Sequence, residues 1–180
     1  MRKNIVITGG LGYIGTELCK IYSGQSWNDK ITVIDNRFVS ERVNQLRNWN
    51  IEFIHGDILD KDLINKYCKD ADIVHHLAGV TEVPRVKSEA SEFRDKKIKS
   101  VAQEGTQNIL DAINNKCKII FPSTHVVFEG MSKVKNDIKE NEELSPVLSY
   151  SESKAANENQ LKNSGKKFII LRLGSVYGYS

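Results

Sequence analysis

The sequence contains few residues of the kinds that cross-link a fold or span a membrane. It has three prolines and three cysteines, and Cys19, Cys68 and Cys117 lie far apart without a Cys-x-x-Cys pair. A disulfide scaffold is therefore excluded, and reduced thiols in a cytoplasmic protein are expected. No apolar run approaches the roughly 18 residues of a membrane-spanning helix. The chain opens directly on a strand-like run, so no signal peptide is expected.

The sequence also lacks a strong excess of either charge. Lys and Arg number 26 against 23 Asp and Glu, and the two signs are interspersed. Such a balance gives no reason to expect a nucleic-acid or membrane partner. The four histidines show no His-x-His or His-Glu-x-x-His spacing, so no metal site is expected. Repeats and low-complexity tracts are missing as well, and a single domain over residues 1–180 is predicted.

Short apolar runs alternate with helical patterns along the chain. The predicted strands are Asn4–Thr8, Ile31–Ile34, Ile51–His55, Ile73–His76, Lys118–Phe121 and Phe168–Leu171. The predicted helices are a stretch ending near Tyr22, Leu59–Tyr67, the charged segment Arg85–Ser100, Val101–Ile113 and Tyr150–Lys162, and Glu129–Glu143 is predicted to be a surface loop. The strands are continuous apolar runs, which indicates that helices cover both faces. A doubly wound parallel α/β sheet is therefore predicted.

The most informative segment is Thr8–Gly15, between the first strand and the first helix. Gly9, Gly12 and Gly15 recur at spacing three, which permits a tight turn and a close approach to a pyrophosphate. The free N–H groups at the start of the helix favour the phosphates. Asp35 follows Gly15 by 20 residues, where a carboxylate accepts the hydroxyls of an adenosine ribose. The pattern predicts a dinucleotide site, with a ligand-free glycine turn as the alternative.

Tyr150 and Lys154 lie four residues apart and so share one face of a predicted helix. An unperturbed tyrosine has a pKa near 10. An ammonium about 4 Å away contributes roughly 4 kcal/mol at an effective dielectric of about 20, which would bring the pKa of the phenol near 7. On these two residues alone, an ordinary amphipathic helix remains the alternative.

Two hydroxyl residues, Ser123 and Thr124, are predicted to follow a buried strand at its carboxyl end. Ligands of open parallel sheets bind at that edge, where a hydroxyl can orient a substrate oxygen. The alternative is that both hydroxyls satisfy backbone groups in a turn.

In this order, the motifs resemble the extended short-chain dehydrogenase/reductases of the NAD-dependent epimerase/dehydratase family, which includes the UDP-glucose 4-epimerases. Thr8–Gly15 is similar to the family's TGGxGxxG, and Tyr150 with Lys154 to its YxxxK. Six further segments are similar to motifs of the family: Asp35-Asn36 to its acidic ribose-binding pair, Gly56-Asp57-Ile58 to GD(I/L), His76-Leu77-Ala78-Gly79 to HLAA, Gly105–Leu110 to GTxNLL, Ser123–Phe128 to SSxxVY and Leu171–Gly178 to LRxxNVYG. The resemblance covers essentially the whole chain.

The resemblance implies a Rossmann-type fold, NAD as cofactor and a nucleotide sugar as substrate. Tyr150 would take the sugar hydroxyl proton, Lys154 would lower the tyrosine pKa and hold the nicotinamide ribose, and Thr124 would hydrogen-bond the reacting oxygen. The cofactor-binding residues it implies are Gly9, Gly12, Tyr13, Ile14, Gly15, Asp35, Asn36, Asp57, Ile58, Leu77, Ala78, Gly79, Ser123, Tyr150 and Lys154. NAD should be preferred to NADP because Asp35 repels a 2′-phosphate, and Arg37 is the one residue that could soften this preference.

A homodimer is also implied, through the helix around Glu89–Ile113 and the helix that carries Tyr150. Val101, Ile109 and Ile113 would supply some of its apolar surface, although part of that set must face the sheet.

The chain departs from the family pattern in four places. Ala102 stands where the family has an asparagine that supports the active-site lysine, Ser175 replaces the asparagine of NVYG, and the family's VYG reads Val127–Gly130. The sequence stops at Ser180, so a substrate-binding lobe that is absent or truncated is expected. An NAD-dependent nucleotide-sugar epimerase is the function predicted. The alternatives are a 4,6-dehydratase or reductase of the same family, or a truncated NAD-binding domain without turnover.

Overall fold

A parallel sheet of six strands organises the part of the chain that the structure describes. The computed structural model describes residues 2–25, 28–80, 92–133 and 135–178. The strands are β1 (Asn4–Thr8), β2 (Lys30–Asp35), β3 (Glu52–His55), β4 (Ile73–His76), β5 (Lys118–Thr124) and β6 (Lys167–Leu173). The helices are α1 (Tyr13–Ser23), α2 (Ser40–Asn48), α3 (Lys61–Cys68), α4 (Glu92–Ala112) and α5 (Ser149–Asn163), and a 3₁₀ turn spans His125–Phe128.

The strand order β3-β2-β1-β4-β5-β6 steps outward from β1 in both directions. The register places Thr8, the last residue of β1, beside Ile34 of β2 and His76 of β4. This is the doubly wound arrangement that the alternating pattern predicts. The order reverses between β1 and β4, and ligands of such sheets bind in the crevice beyond the strand ends at that point.

The core consists of two apolar layers, one on each face of the sheet. Along β1, Val6 contributes to one layer while Ile5 and Ile7 contribute to the other, because successive side chains of a strand point to opposite faces. The first layer also holds apolar residues of α3, α4 and α5, and the second holds residues of α1 and α2. Burial on both faces explains why the strands are continuous apolar runs.

Strand β6 lies at one edge of the sheet, and its apolar side chains are incompletely covered. Ile170 packs against the layer of α3, α4 and α5. Ile169 and Leu171 alternate with it and so point to the opposite face, where they are 40% and 44% exposed.

The predicted elements are confirmed with a few differences. Strand β5 continues through Thr124, so Ser123 and Thr124 end the strand and do not follow it. Helix α2 was not predicted, and the described residues of the polar stretch after Glu129 form neither helix nor strand up to Leu148. Of the predicted helix Arg85–Ser100, residues 92–100 belong to α4, and residues 85–91 lie outside the described residues. No helix in the described ranges is long and apolar enough to cross a bilayer.

Candidate active site

The turn between β1 and α1 is shaped by its glycines in two different ways. Gly9 has a φ of +70°, and a methyl group built on it would lie 2.6 Å from the backbone nitrogen of Ala78. A methyl on Gly15 would lie 2.6 Å from Cα of Gly10. A methyl group built on Gly12 would have two described neighbours within 4 Å, the carbonyl oxygen of Gly9 at 3.2 Å and the guanidinium of Arg37 at 3.8 Å. Gly9 and Gly15 are therefore required by the fold, whereas most of the space beside Gly12 is free and the Gly9 carbonyl oxygen is its one close neighbour among the described residues.

The N-terminus of α1 opens onto that space. Gly12 is its N-cap, no side chain caps the helix, and its first turn contains no acidic residue. The amide of Thr16 makes the first helical bond, to the Gly12 carbonyl at 2.9 Å. The N–H groups of Tyr13, Ile14 and Gly15 precede that bond and have no helical acceptor. These amides and the helix dipole favour a phosphate.

Asp35 lies directly beside the glycine turn. It is the last residue of β2 and is buried. Its Oδ2 accepts a hydrogen bond from the backbone amide of Leu11 at 3.0 Å, and its Oδ1 accepts one from the amide of Arg37 at 3.0 Å. The acid that is predicted to bind the ribose therefore also fixes the conformation of the glycine turn.

Asn36 and Asp57, which the resemblance assigns to cofactor binding, lie just after β2 and β3. Asn36 donates a hydrogen bond to Asp57 Oδ2 at 2.9 Å, and Asp57 Oδ1 accepts one from the Leu59 amide at 3.0 Å. Ile58 is buried in the core, and a methyl group on Gly105 would lie 2.3 Å from its side chain. Asn36 and Asp57 are thus together at the edge, whereas the side chain of Ile58 belongs to the core.

The segment after β4 crosses the end of β1. The amide of Leu77 donates to the Thr8 carbonyl at 3.0 Å, and the amide of Ala78 donates to Thr8 Oγ1 at 3.3 Å. Nothing lies within 4 Å of a methyl group built on Gly79. Residues 77–79 therefore line the same cleft as the glycine turn.

His76 is a buried core histidine. Its Nδ1 lies 3.0 Å from Thr8 Oγ1, and its Nε2 lies 3.0 Å from Thr106 Oγ1. Burial, reinforced by the positive charge of Lys154, lowers the pKa of His76 to about 3. The imidazole is neutral at physiological pH and connects β4 to β1 through the Thr8 hydroxyl and to α4 through the Thr106 hydroxyl.

Tyr150 and Lys154 share one face of α5, but the lysine does not point at the phenol. Its Nζ donates to the carbonyl oxygen of Pro122 at 2.8 Å and lies 5.9 Å from the centroid of the Tyr150 ring. Burial lowers the pKa of Lys154 to about 8 and raises the pKa of Tyr150 above its ordinary value. The expectation of a phenol pKa near 7 is therefore wrong for this arrangement, because burial disfavours the phenolate and the ammonium is hydrogen-bonded to a carbonyl.

A small cavity of about 40 Å³ joins α5 to the segment after β4. Its walls include Ala78, Ala102, Tyr150, Lys154 and Asn157. Asn157 donates hydrogen bonds to the Ala102 carbonyl at 2.9 Å and to Thr106 Oγ1 at 2.9 Å. Asn157 on α5 therefore places a side-chain amide beside position 102 of α4.

The two hydroxyls at the end of β5 have different partners. Ser123 Oγ donates to Glu158 Oε1 at 2.6 Å, whereas Thr124 Oγ1 accepts from the amide of Val126 at 3.3 Å. Among the described residues, the Thr124 hydroxyl has no acceptor for its own hydrogen. Thr124 therefore remains a candidate for contacting substrate, whereas the hydroxyl of Ser123, predicted to bind cofactor, is used within the protein.

Glu158 was not singled out from the sequence, although it lies four residues after Lys154 on the same helix. Its side chain is fully buried and accepts from Arg172 Nε at 3.0 Å and Nη2 at 2.7 Å. Burial alone would raise the pKa of Glu158, but hydrogen bonds from Arg172 and Ser123 outweigh burial and lower it. Only the fold reveals this buried pair, because Arg172 lies on β6.

Comparisons with known proteins agree with this geometry. A family model for the NAD dependent epimerase/dehydratase family matches residues 5–180. A dTDP-D-glucose 4,6-dehydratase of Dictyostelium discoideum is 30% identical over 98% of this chain and 44% of its own length. A CDP-paratose 2-epimerase of Salmonella typhi is 28% identical over 97% of this chain and 57% of its own.

Solved structures give the same result. One is the UDP-N-acetylglucosamine 4-epimerase from Methanobrevibacter ruminantium M1 in complex with UDP-N-acetylmuramic acid. It is 29% identical in sequence, superposes with a TM-score of 0.77, and the match covers 95% of this chain and 54% of that one. The Bordetella bronchiseptica enzyme WbmH, in complex with NAD+, is 26% identical with a TM-score of 0.81, over 98% and 57%. The chain thus spans about half the length of the relatives it matches.

Proposed function

Because the chain belongs to the NAD dependent epimerase/dehydratase family, we propose that it binds NAD and that the protein epimerises a nucleotide sugar by transient hydride transfer. One observation carries the proposal. The glycine turn and Asp35 are in contact at the switch point of the sheet, and Tyr150 and Lys154 line a cavity with Ala78 at the same edge. The CDP-paratose 2-epimerase and the UDP-N-acetylglucosamine 4-epimerase above are named for nucleotide sugars, which supports the substrate class.

The cofactor site fits a dinucleotide. The free amides of Tyr13, Ile14 and Gly15, beside the least crowded glycine of the turn, Gly12, would receive the pyrophosphate. Asp35 would accept the hydroxyls of the adenosine ribose. Bound NAD supplies the acceptor and donor of the hydride.

The protein's own residues would manage the proton and the substrate oxygen. Tyr150 accepts the proton of the sugar hydroxyl at its phenolic oxygen, and Thr124 donates a hydrogen bond to the reacting oxygen. With a pKa of about 8, Lys154 is mostly protonated at neutral pH and can stabilise a phenolate. Because burial raises the pKa of Tyr150, Lys154 Nζ must turn from the Pro122 carbonyl toward the phenol for Tyr150 to act as a base.

A 4,6-dehydratase is the second candidate, since the dehydratase of Dictyostelium discoideum is 30% identical to this chain. Dehydratases of the family that the sequence resembles carry Asp-Glu directly after the catalytic threonine, to eliminate water. Here His125 and Val126 occupy those positions, and the imidazole of His125 lies 3.2 Å from the Leu173 carbonyl. Since valine transfers no proton, epimerisation is the better reading.

A homodimer through α4 and α5 and a cytoplasmic location complete the proposal. The apolar surface of the dimer must differ from that first expected, because Ile109 and Ile113 are buried in the core. Phe93 on α4 is 82% exposed and offers an apolar contact, while polar residues line the groove between the two helices. Free buried thiols at Cys19, Cys68 and Cys117 support a reducing compartment.

The test measures NAD binding by calorimetry and the ionisation of the tyrosine phenols by ultraviolet titration. The native chain should bind NAD, and binding should lower the pKa of one tyrosine, because the bound cofactor and Lys154 both place positive charge near it. Tyr150→Phe should abolish this change, whereas Tyr67→Phe, on the distant helix α3, should preserve it. Failure to bind NAD, or a titration shift that persists in Tyr150→Phe, would contradict the proposal.

The dimer has its own measurement. Light scattering at tens of micromolar should give twice the mass of the chain, and Phe93→Lys should lower it toward the monomer. A monomeric mass for the native chain would refute the dimer without affecting the cofactor site.

A further inference from the structure

The polar loop between the 3₁₀ turn and α5 is closed at its base by backbone hydrogen bonds. The amide of Ser145 donates to the carbonyl oxygen of Val127 at 2.8 Å, and the amide of Gly130 donates to the carbonyl oxygen of Ser145 at 2.8 Å. A methyl group built on Gly130 would lie 2.7 Å from that Ser145 oxygen, so this close approach needs a glycine. The segment that follows Thr124 therefore meets the segment that precedes Tyr150.

The side chain of Glu129 lies at this base and bonds the start of α5 at three places. Its Oε1 accepts from the amide of Val147 at 2.9 Å and from the amide of Leu148 at 2.8 Å, and it also accepts from the hydroxyl of Ser151. Leu148 is the N-cap residue of α5, and its apolar side chain cannot accept a hydrogen bond. Glu129 therefore supplies an acceptor that the N-cap residue lacks.

The charge of Glu129 suits this place. Burial alone would raise the pKa of Glu129, but the hydrogen bonds from Ser151, Leu148 and Val147 outweigh burial and hold the pKa below its ordinary value. The carboxylate is ionised at neutral pH, and a negative charge near a helix N-terminus is favourable.

The same residue ends the turn that begins at Thr124. Thr124 is the N-cap residue of the 3₁₀ turn, and the amide of Glu129 donates to the carbonyl oxygen of Val126 at 3.1 Å. Tyr150 is the second residue of α5 and lies in the first helical turn, which Glu129 contacts. The first turn of a helix lacks part of the hydrogen bonding of later turns, so an outside anchor matters most there. One side chain thus connects the segment of Thr124 to the segment of Tyr150.

We propose that Glu129 is a positioning residue, which holds the Tyr150 phenol against the cofactor and Thr124 through its hydrogen bonds to the start of α5. The inference rests on the proposed function, in which Tyr150 and Thr124 act on the sugar. The family resemblance assigns no role to Glu129, which lies within the departing segment Val127–Gly130. The influence of bound NAD and Lys154 on the phenol falls with distance, so a displaced Tyr150 responds less to NAD binding.

The experiment measures tyrosine ionisation by ultraviolet titration with and without NAD, and NAD affinity by calorimetry. In Glu129→Ala, the lowering of the Tyr150 pKa by NAD should be mostly lost, because the first turn of α5 is no longer held. NAD affinity should stay within about threefold of the native value, because the glycine turn and Asp35 are unchanged.

Three matched variants identify the cause. Glu129→Gln should retain the lowering of the Tyr150 pKa, because all three hydrogen bonds go to one oxygen and an amide offers the same acceptor. Glu129→Asp should lose part of it, because the side chain keeps its charge but is shorter. Glu143→Ala removes an exposed carboxylate of the same loop and should match the native chain.

A purely structural role of Glu129 would lower the melting temperature and leave the titration of the folded protein unchanged. An NAD-induced lowering that is equal in the native, Glu129→Ala and Glu129→Asp proteins would therefore overturn the proposal, and so would its loss in Glu129→Gln. If Glu129→Ala does not fold, Glu129→Gln and Glu129→Asp decide the question by themselves. A native chain that does not bind NAD, or whose tyrosines do not respond to it, would contradict the proposed function itself, and this inference with it.

Discussion

Single residues at the glycine turn separate the demands of the fold from those of the ligand. Gly9 and Gly15 are required because an added Cβ would lie 2.6 Å from backbone atoms, whereas a Cβ on Gly12 would lie no nearer than 3.2 Å to its closest neighbour, the Gly9 carbonyl oxygen. The sequence motif alone does not make this distinction, because its three glycines are equally spaced.

Gly12→Val should therefore abolish NAD binding and leave the chain folded. The valine methyls would occupy the space through which a pyrophosphate approaches the turn. Gly15→Val is the comparison, and it should unfold or strongly destabilise the chain because its Cβ would lie 2.6 Å from Gly10. Circular dichroism and calorimetry distinguish the two results. Unchanged NAD affinity in Gly12→Val would mean that the turn has only a structural role.

Lys154 should make stability depend on pH in a particular direction. Burial lowers its pKa to about 8 from an ordinary value near 10.5, so between these values the unfolded chain binds more protons than the folded one. The free energy of unfolding therefore rises with pH across that window, by about 3 kcal/mol for this group. Below pH 8 the cost of burying the charge is present in full.

Lys154→Met should remove this dependence. Urea unfolding at pH 7 and pH 10 should show the native chain gaining stability relative to the variant as pH rises. Parallel pH profiles for the two proteins would contradict the assigned burial of the ammonium.

Elements that are buried on both faces were predicted well, and elements that depend on distant partners were not. Strands β1 and β4 match their predicted bounds because continuous apolar runs report burial directly. Helix α2 was missed because only Val43 and Leu46 of its nine residues are buried, too few to produce a period. Strand β5 continues past Pro122 because its pairing with β4 ends at Ile120, so the missing amide hydrogen is tolerated there.

The site shows the same division. The contact between Asp35 and the glycine turn was predictable because its spacing is a property of one β-α-β unit. The partner of Ser123 was not, because Glu158 is on α5 and its own counter-ion, Arg172, is on β6. Such a pair depends on how three elements pack, which no local pattern encodes.

The Glu158–Arg172 pair should be the most costly ion pair to break among those described. Glu158→Ala should lower the free energy of unfolding by about 3–5 kcal/mol, because it leaves a guanidinium that is only 16% exposed without its counter-charge. Urea unfolding measures the effect. Glu152→Ala is the control, since Glu152 pairs with Lys99 at the surface and its loss should cost less than about 1 kcal/mol. Equal losses in the two variants would contradict the special role of the buried pair.

At the scale of the whole molecule, cofactor binding and turnover are separable. The 180-residue chain should bind NAD yet show turnover near background with UDP-glucose, UDP-N-acetylglucosamine and GDP-mannose. The residues predicted to bind NAD are present, but orientation of the sugar can contribute roughly 7–11 kcal/mol of barrier lowering. The chain spans about half the length of the relatives it matches.

A coupled assay measures the turnover of these nucleotide sugars. Robust turnover that is lost in Tyr150→Phe would show that this chain alone positions the sugar, with the chemistry as proposed. Robust turnover that survives in Tyr150→Phe would contradict both the positioning argument and the role of Tyr150.

The uncovered edge strand β6 has a consequence for how the isolated chain behaves at high concentration. Its outer side presents unpaired backbone groups, and the apolar side chains of Ile169 and Leu171 are exposed beside them. An edge of this kind is a template for strand addition, so solubility and shelf life should be limited by edge-to-edge aggregation rather than by unfolding. A charged substitution such as Ile169→Lys on β6 would extend the working concentration and leave the cleft at the carboxyl ends of β1 and β4 unchanged.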